Sequence, residues 1–168
     1  MSPFIALLSG INLGKPRVKL DRRARCFEEL HFTGVATFIA SGNVIFSSPS
    51  SDGRKLARQI EPPLATPLGD DVDPFVRTRA EVAAVAALSP FAPGRPARSR
   101  HHLHVSFLAA ALTSEQQRGL EACRPDADEF RFVGRNYDWL CRRIKPPRFE
   151  DLELARTESA QALLLVDA

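Results

Sequence analysis

Cysteine, tryptophan and tyrosine are scarce in this chain, and no long apolar run occurs. Cys26, Cys123 and Cys141 form an odd, widely spaced set with no CxxC pair. That argues against a disulfide framework and a cysteine-based zinc site, and reads as buried thiols in a reducing compartment. The first apolar run, Phe4 to Leu8, has no basic segment ahead of it, so it does not read as a signal peptide. It is also far short of the roughly 18–20 apolar residues a membrane span needs. A cytoplasmic protein with no membrane partner is expected.

Charge of one sign is not concentrated either. A net charge of +3 and a pI near 9.0 lean basic without the density of a dedicated nucleic-acid protein. HExxH, GxSxG, GxxxxGK[ST], GxGxxG and EF-hand patterns are all missing. The short acidic run Asp70, Asp71 and Asp73 reads as loop solvation. No metal and no cofactor is therefore expected. What remains, 168 residues of which 44% are hydrophobic, suffices for one domain or two small ones sharing an interface.

The most informative positive feature is a pair of Gly/Asn loops. Phe4–Leu8 runs into Ser9-Gly10-Ile11-Asn12-Leu13-Gly14, and Thr37–Ala40 runs into Ser41-Gly42-Asn43-Val44-Ile45-Phe46. Apolar strands ending in residues that tolerate unusual backbone angles expose amides and short polar side chains at a sheet edge.

The remaining periodicities supply the elements. A basic stretch, Lys15 to Arg25, leads into a helix with the apolar stripe Leu20, Ala24, Phe27 and Leu30, ended by Gly34. Ala36–Ala40 and Val44–Phe46 flank Gly42-Asn43, which suits a two-residue type II′ hairpin loop. Residues 53–61 read as a helix stopped by Pro62-Pro63, and 73–78 as a strand. The first half thus spells β-α-β-β-α-β, the ferredoxin-like plait.

The second half repeats that grammar. Residues 80–88 form a connector helix, and 89–100 a Pro- and Arg-rich loop. His102–Leu108 alternates as a strand, and Thr113 caps a helix running to about Cys123. Glu129–Val133 and Tyr137–Cys141 flank a three-residue loop, Gly134-Arg135-Asn136. A short helix at Glu150–Ala155 and the apolar run Leu163–Val166 close the pattern. The expected fold is α+β, two ferredoxin-like halves packed together: residues 1–79 and 101–168, joined by a connector over 80–100. In such a plait strands 1 and 2 run the same way, so the two Gly/Asn loops leave one sheet edge together.

These two loops resemble a bacterial family of uncharacterised proteins, domain of unknown function (DUF) 1697, whose members carry patterns close to ALLRGINVGG and SGNVVF. Arg77-Thr78, Pro90-Phe91, Leu103-His104-Val105, Phe132-Val133-Gly134-Arg135 and Tyr137 also look like the family. The resemblance spans roughly residues 3–143 and implies two ferredoxin-like halves and no particular activity. Ser9 stands where family members usually carry Arg, and Ala40 where they often carry Gln. Arg156-Thr157-Glu158-Ser159 replaces the family's Thr-Arg-Asn segment.

Three functions are compatible with these residues. The first is an anion pocket for a small, possibly phosphorylated molecule, formed by Gly10, Asn12, Gly14, Ser41, Gly42 and Asn43, with Lys15 and Lys19 supplying charge. The plainer alternative is that these residues only make turns. The second is nucleic-acid binding through the basic stretches Lys15–Arg25 and Arg95–His102, although a charge run is usually a solvated face and the aromatic pattern of RNA-binding plaits is missing. The third is a phosphoesterase centred on His104, since His104-Val105-Ser106-Phe107 fits H-x-[ST]-x. Its only candidate partner motif, His31-Phe32-Thr33, lies at a helix end, so a partly exposed strand with polar cross-strand contacts is the simpler expectation for His104. Tyr137 and Trp139 read as packing residues.

Overall fold

A computed structural model of the chain describes residues 1–8, 20–38, 43–68, 72–88, 102–124, 128–141 and 163–165. The first elements are β1 (Ser2–Leu8), α1 (Leu20–Glu29), β2 (Thr33–Phe38), β3 (Asn43–Ser48), α2 (Gly53–Leu68) and β4 (Pro74–Thr78). They are followed by α3 (Arg79–Ala87), β5 (His102–Phe107), α4 (Ser114–Ala122), β6 (Glu129–Val133), β7 (Asn136–Cys141) and β8 (Leu163–Leu165). Among the described residues the fold is mixed α+β, with four helices and two four-stranded antiparallel sheets ordered β2-β3-β1-β4 and β6-β7-β5-β8. The chain divides into two compact units, Met1–Leu88 and Ser89–Ala168. The expected helix at 150–155 lies outside the described residues.

In the first unit, period-two alternation puts Phe4, Ala6 and Leu8 of β1 on one face with Val44 and Phe46 of β3 and Val76 of β4. Cys26 and Phe27 of α1 and Leu56, Ile60 and Leu64 of α2 cover that face. Pro62-Pro63 does not stop α2, contrary to the sequence expectation. Leu64 is buried one turn beyond Ile60, and that burial, worth about 1.5–3 kcal/mol, offsets much of the roughly 3 kcal/mol an interior proline costs. Asp52 caps the start of α2, accepting from the Arg54 and Lys55 amides at 2.9 and 3.1 Å. The bond from Lys55 is the main reason its carboxyl pKa lies below the ordinary value.

The end of α1 also differs from expectation. Gly34 does not terminate the helix; its φ of +60° accompanies a register shift between Thr33 and Ala36, a bulge in the edge strand β2. The helix instead closes on His31, a non-glycine residue at φ +60°. The Phe32 amide bonds the Phe27 carbonyl at 3.3 Å, the His31 amide bonds the Glu28 carbonyl at 2.9 Å, and the Phe27 and Phe32 rings pack at 6.2 Å. This is a Schellman motif with histidine at the position glycine favours. Relief of the left-handed conformation, less the entropy glycine adds to the unfolded chain, predicts that His31→Gly stabilises the protein by about 0.5–1 kcal/mol. A urea midpoint shifted upward at unchanged m-value is the expected result; a lower midpoint would contradict it.

In the second unit, Thr113 and Gln116 form a reciprocal capping box that starts α4. The β6–β7 hairpin is tighter than the three-residue loop expected, because Val133 pairs with Asn136 and leaves Gly134-Arg135 as the turn. Gly134, at φ +56°, supplies the first-position conformation of a type II′ turn. The two-residue reading of Gly42-Asn43 likewise fails, because Asn43 belongs to β3 and pairs with Phe38.

Candidate functional site

Strand register defines one end of the first sheet. β1 is antiparallel to β3 with Ala6 opposite Val44, and β3 is antiparallel to β2. The C-terminal end of β1, at Leu8, therefore lies beside the N-terminal end of β3, at Asn43. Since α1 connects β1 to the parallel β2, it runs back along the sheet, and its first turn starts at this same end. Gly10, Asn12, Gly14, Lys15, Lys19, Ser41 and Gly42 lie outside the described residues. Asn43 is 7% exposed, and alternation sets it on the sheet face opposite Val44 and Phe46. Leu7 and Phe75 are buried on that face, as is Arg77, whose Nη1 donates to the Val76 carbonyl at 3.1 Å. Thr78 has a different task, capping α3 together with Glu81.

The basic stretch contributes a residue that the sequence reading missed. Arg22 and Arg25 are exposed, yet Arg23 is 2% exposed, and neither its Nε nor its Nη1 has a hydrogen-bond partner. Burial lowers its guanidinium pKa. Phe27 and Leu30 of the expected stripe face the core, joined by Cys26 and Arg23, whereas Ala24 is only half-buried. Spacings of three, four and seven from Cys26, Phe27 and Leu30 were the available signal. A rule that assigns charged residues to the surface hides it.

In the second sheet, the face covered by α4 is aromatic. His104, 2% exposed, pairs across the strands with Trp139, and their ring centroids lie 4.9 Å apart. The Trp139 indole donates to Asp128 Oδ2 at 3.0 Å. Ser106 is buried opposite Tyr137, whose phenol burial pushes up to about 12, so it stays neutral. The expected partly exposed His104 is thus sealed in the core. An imidazole packed on an indole inside an aromatic cluster is the arrangement of a core residue, which weighs against a His104 phosphoesterase.

On the other face of β7, Asp138 is buried and its Oδ2 has no hydrogen-bond partner. Burial raises its carboxyl pKa above the ordinary value. The folded state therefore holds this proton to higher pH than the unfolded chain does. The resulting stability is complete below the unfolded carboxyl pKa and is lost as pH rises through the folded one. Asp138→Asn, which mimics the protonated form, is expected to raise Tm at neutral pH, with the gain shrinking as pH approaches about 4. A gain that is equal at both pH values would contradict this account.

Among the described residues, no group of three or more His, Cys, Asp or Glu is placed to hold a metal ion, and no helix is long and apolar enough to cross a membrane. Two compact α+β units with antiparallel sheets, carrying no recognisable catalytic constellation among those residues, define the structural class. The chain belongs to the family described as protein of unknown function (DUF1697), whose model matches residues 1–137. Its structure is similar to that of the conserved bacterial protein SP0830 from Streptococcus pneumoniae, with a TM-score of 0.66 and 20% sequence identity over 86% of this chain and 78% of that one. At that identity the likeness is one of fold. No curated protein matches the chain.

Proposed function

We propose that this protein is a bacterial, cytoplasmic binding module for an anionic, phosphorylated small molecule, built from two ferredoxin-like halves over residues 1–79 and 101–168. The ligand lies at the sheet end bearing Gly10, Asn12, Gly14, Ser41, Gly42 and Asn43, with Lys15 and Lys19 supplying charge. The observation that carries the reading is register: Leu8 and Asn43, from which the two Gly/Asn loops depart, end adjacent strands at one rim of the sheet. The start of α1 adds the partial positive charge of a helix N-terminus at that rim. The strand order β2-β3-β1-β4 supports the ferredoxin-like assignment of the first half. Cys26 and Cys141, buried free thiols, suit a reducing compartment.

The test is a thermal-shift screen against phosphorylated metabolites, with native mass spectrometry of each hit. A ligand present at 100 times its dissociation constant adds about 2.7 kcal/mol and a readily visible rise in Tm. The reading fails if no phosphorylated compound shifts Tm. Binding restricted to oligonucleotides, with affinity falling steeply as salt rises, would favour nucleic-acid recognition instead.

A further inference from the structure

We propose that Arg23 is the anion-holding group of this module: its guanidinium, beside the positive end of the α1 dipole, receives a dianionic phosphoryl group. This rests on the reading above and assigns its charge to a residue that the loop motifs do not contain.

The argument begins with an electrostatic cost. Arg23 is 2% exposed, and its Nε and Nη1 are both sealed from solvent without a hydrogen-bond partner. A buried cation with donors unsatisfied is strongly unfavourable unless an anion completes it. Its neighbours on the helix stripe, Cys26 and Phe27, belong to the hydrophobic core. Packing alone would be met equally well by an unbranched apolar side chain of similar length, such as methionine.

Position supplies the second line. Arg23 lies in the first turn of α1. Helical side chains lean toward the helix N-terminus, so its guanidinium inclines toward the sheet end where β1 stops and β3 starts. A helix N-terminus carries about half a positive charge, which adds to that of the guanidinium.

The donor set selects the ligand chemistry. A guanidinium presents planar, paired N–H groups that match the oxygens of a phosphate or a carboxylate. Added to the helix terminus, it supplies more than one positive charge. A phosphate monoester, with about −1.5 to −2 at neutral pH, matches that better than a single carboxylate does.

The proposal makes stability and binding move in opposite directions. Arg23→Met removes the uncompensated charge, so without ligand its Tm is expected to equal or exceed that of the wild type. Inorganic phosphate, titrated against chloride at matched ionic strength, should raise the wild-type Tm and leave Arg23→Met unchanged, an apparent affinity loss of more than tenfold. Arg23→Lys, which keeps the charge but loses the planar fork, should respond with intermediate affinity. Three results would overturn the proposal: a phosphate response retained in Arg23→Met, a fall of several degrees in its ligand-free Tm, or a wild type indifferent to phosphate. If Arg23→Met still responds while Lys15→Gln or Lys19→Gln does not, the binding module stands and the Arg23 assignment alone falls. If the wild type also ignores every phosphorylated compound in the screen, both fall.

Discussion

Truncating Trp139 to alanine is expected to destabilise the second unit by about 3–5 kcal/mol, a large part of the 5–15 kcal/mol that holds a typical domain together. The indole is buried, lies 4.9 Å from the His104 ring and 6.0 Å edge-on from Phe130, and donates its N–H to Asp128. Alanine loses the transfer free energy of the ring, opens a cavity among Leu108, Leu120 and Tyr137, and removes a hydrogen bond to a buried carboxylate. Trp139→Phe, which keeps much of the apolar volume, should cost about half as much. Because Trp139 is the sole tryptophan, unfolding must be followed by circular dichroism and by thiol modification. Cys141, buried in the same strand, should become reactive much faster in Trp139→Ala, while Cys26 remains slow. A loss below about 1 kcal/mol would mean that the ring is not core.

Phe46→Ala should do the same to the first unit, at a similar cost of about 3–5 kcal/mol. Phe46 is fully buried in β3, with ring centroids 4.6 Å from Phe32, 5.3 Å from Phe27 and 5.8 Å from Phe4. One ring thereby ties β1, the end of α1 and the segment leading into β2 to the centre of the sheet. Here the thiol signals reverse: Cys26, in the same core cluster, should gain reactivity and Cys141 should not. Phe46→Leu, a smaller volume change, is expected to cost less than half as much. If both alanine variants expose both thiols equally, the two units do not unfold separately and the assignment of each aromatic cluster to its own unit loses its energetic meaning.

Most elements were legible because hydrophobic period reports which side of a local segment is buried. The strands at Phe4–Leu8 and Glu129–Val133, the capped helix after Thr113 and the alternating run from His102 all occur where periodicity placed them. Errors gathered where a local rule competes with a distant contact. Gly34 looked like a helix stop because glycine usually ends helices, but His31 took the left-handed position and Phe32 locked it against Phe27. Pro62-Pro63 looked like a stop because proline removes a donor, but Leu64 still reaches the core. Both hairpin loops were misjudged by a residue or more because register depends on which partners pair, and glycine alone does not state it.

The candidate site was legible in one respect only. Of the residues its two loops nominated, Asn43 alone is described, at the rim where adjacent strands end. Arg23 was hidden inside a run of basic residues whose other described members face solvent. His104 was conspicuous, yet its apparent motif dissolves once Trp139 covers it.

By itself, then, the amino-acid order determined the α+β class, the succession of strands and helices, and family membership, since each is written in short-range periodicity and in contiguous motifs. Only the tertiary structure decided which polar side chains are sealed away: Arg23, His104 and Asp138 are of residue types that sequence rules assign to the surface or leave undecided, and Arg23's helical spacing from Cys26 and Phe27 was the one local hint. The reason is physical. Burial is set by what packs across the sheet from residues far along the chain, and a charge or an imidazole looks the same in sequence whether water or an aromatic ring lies over it.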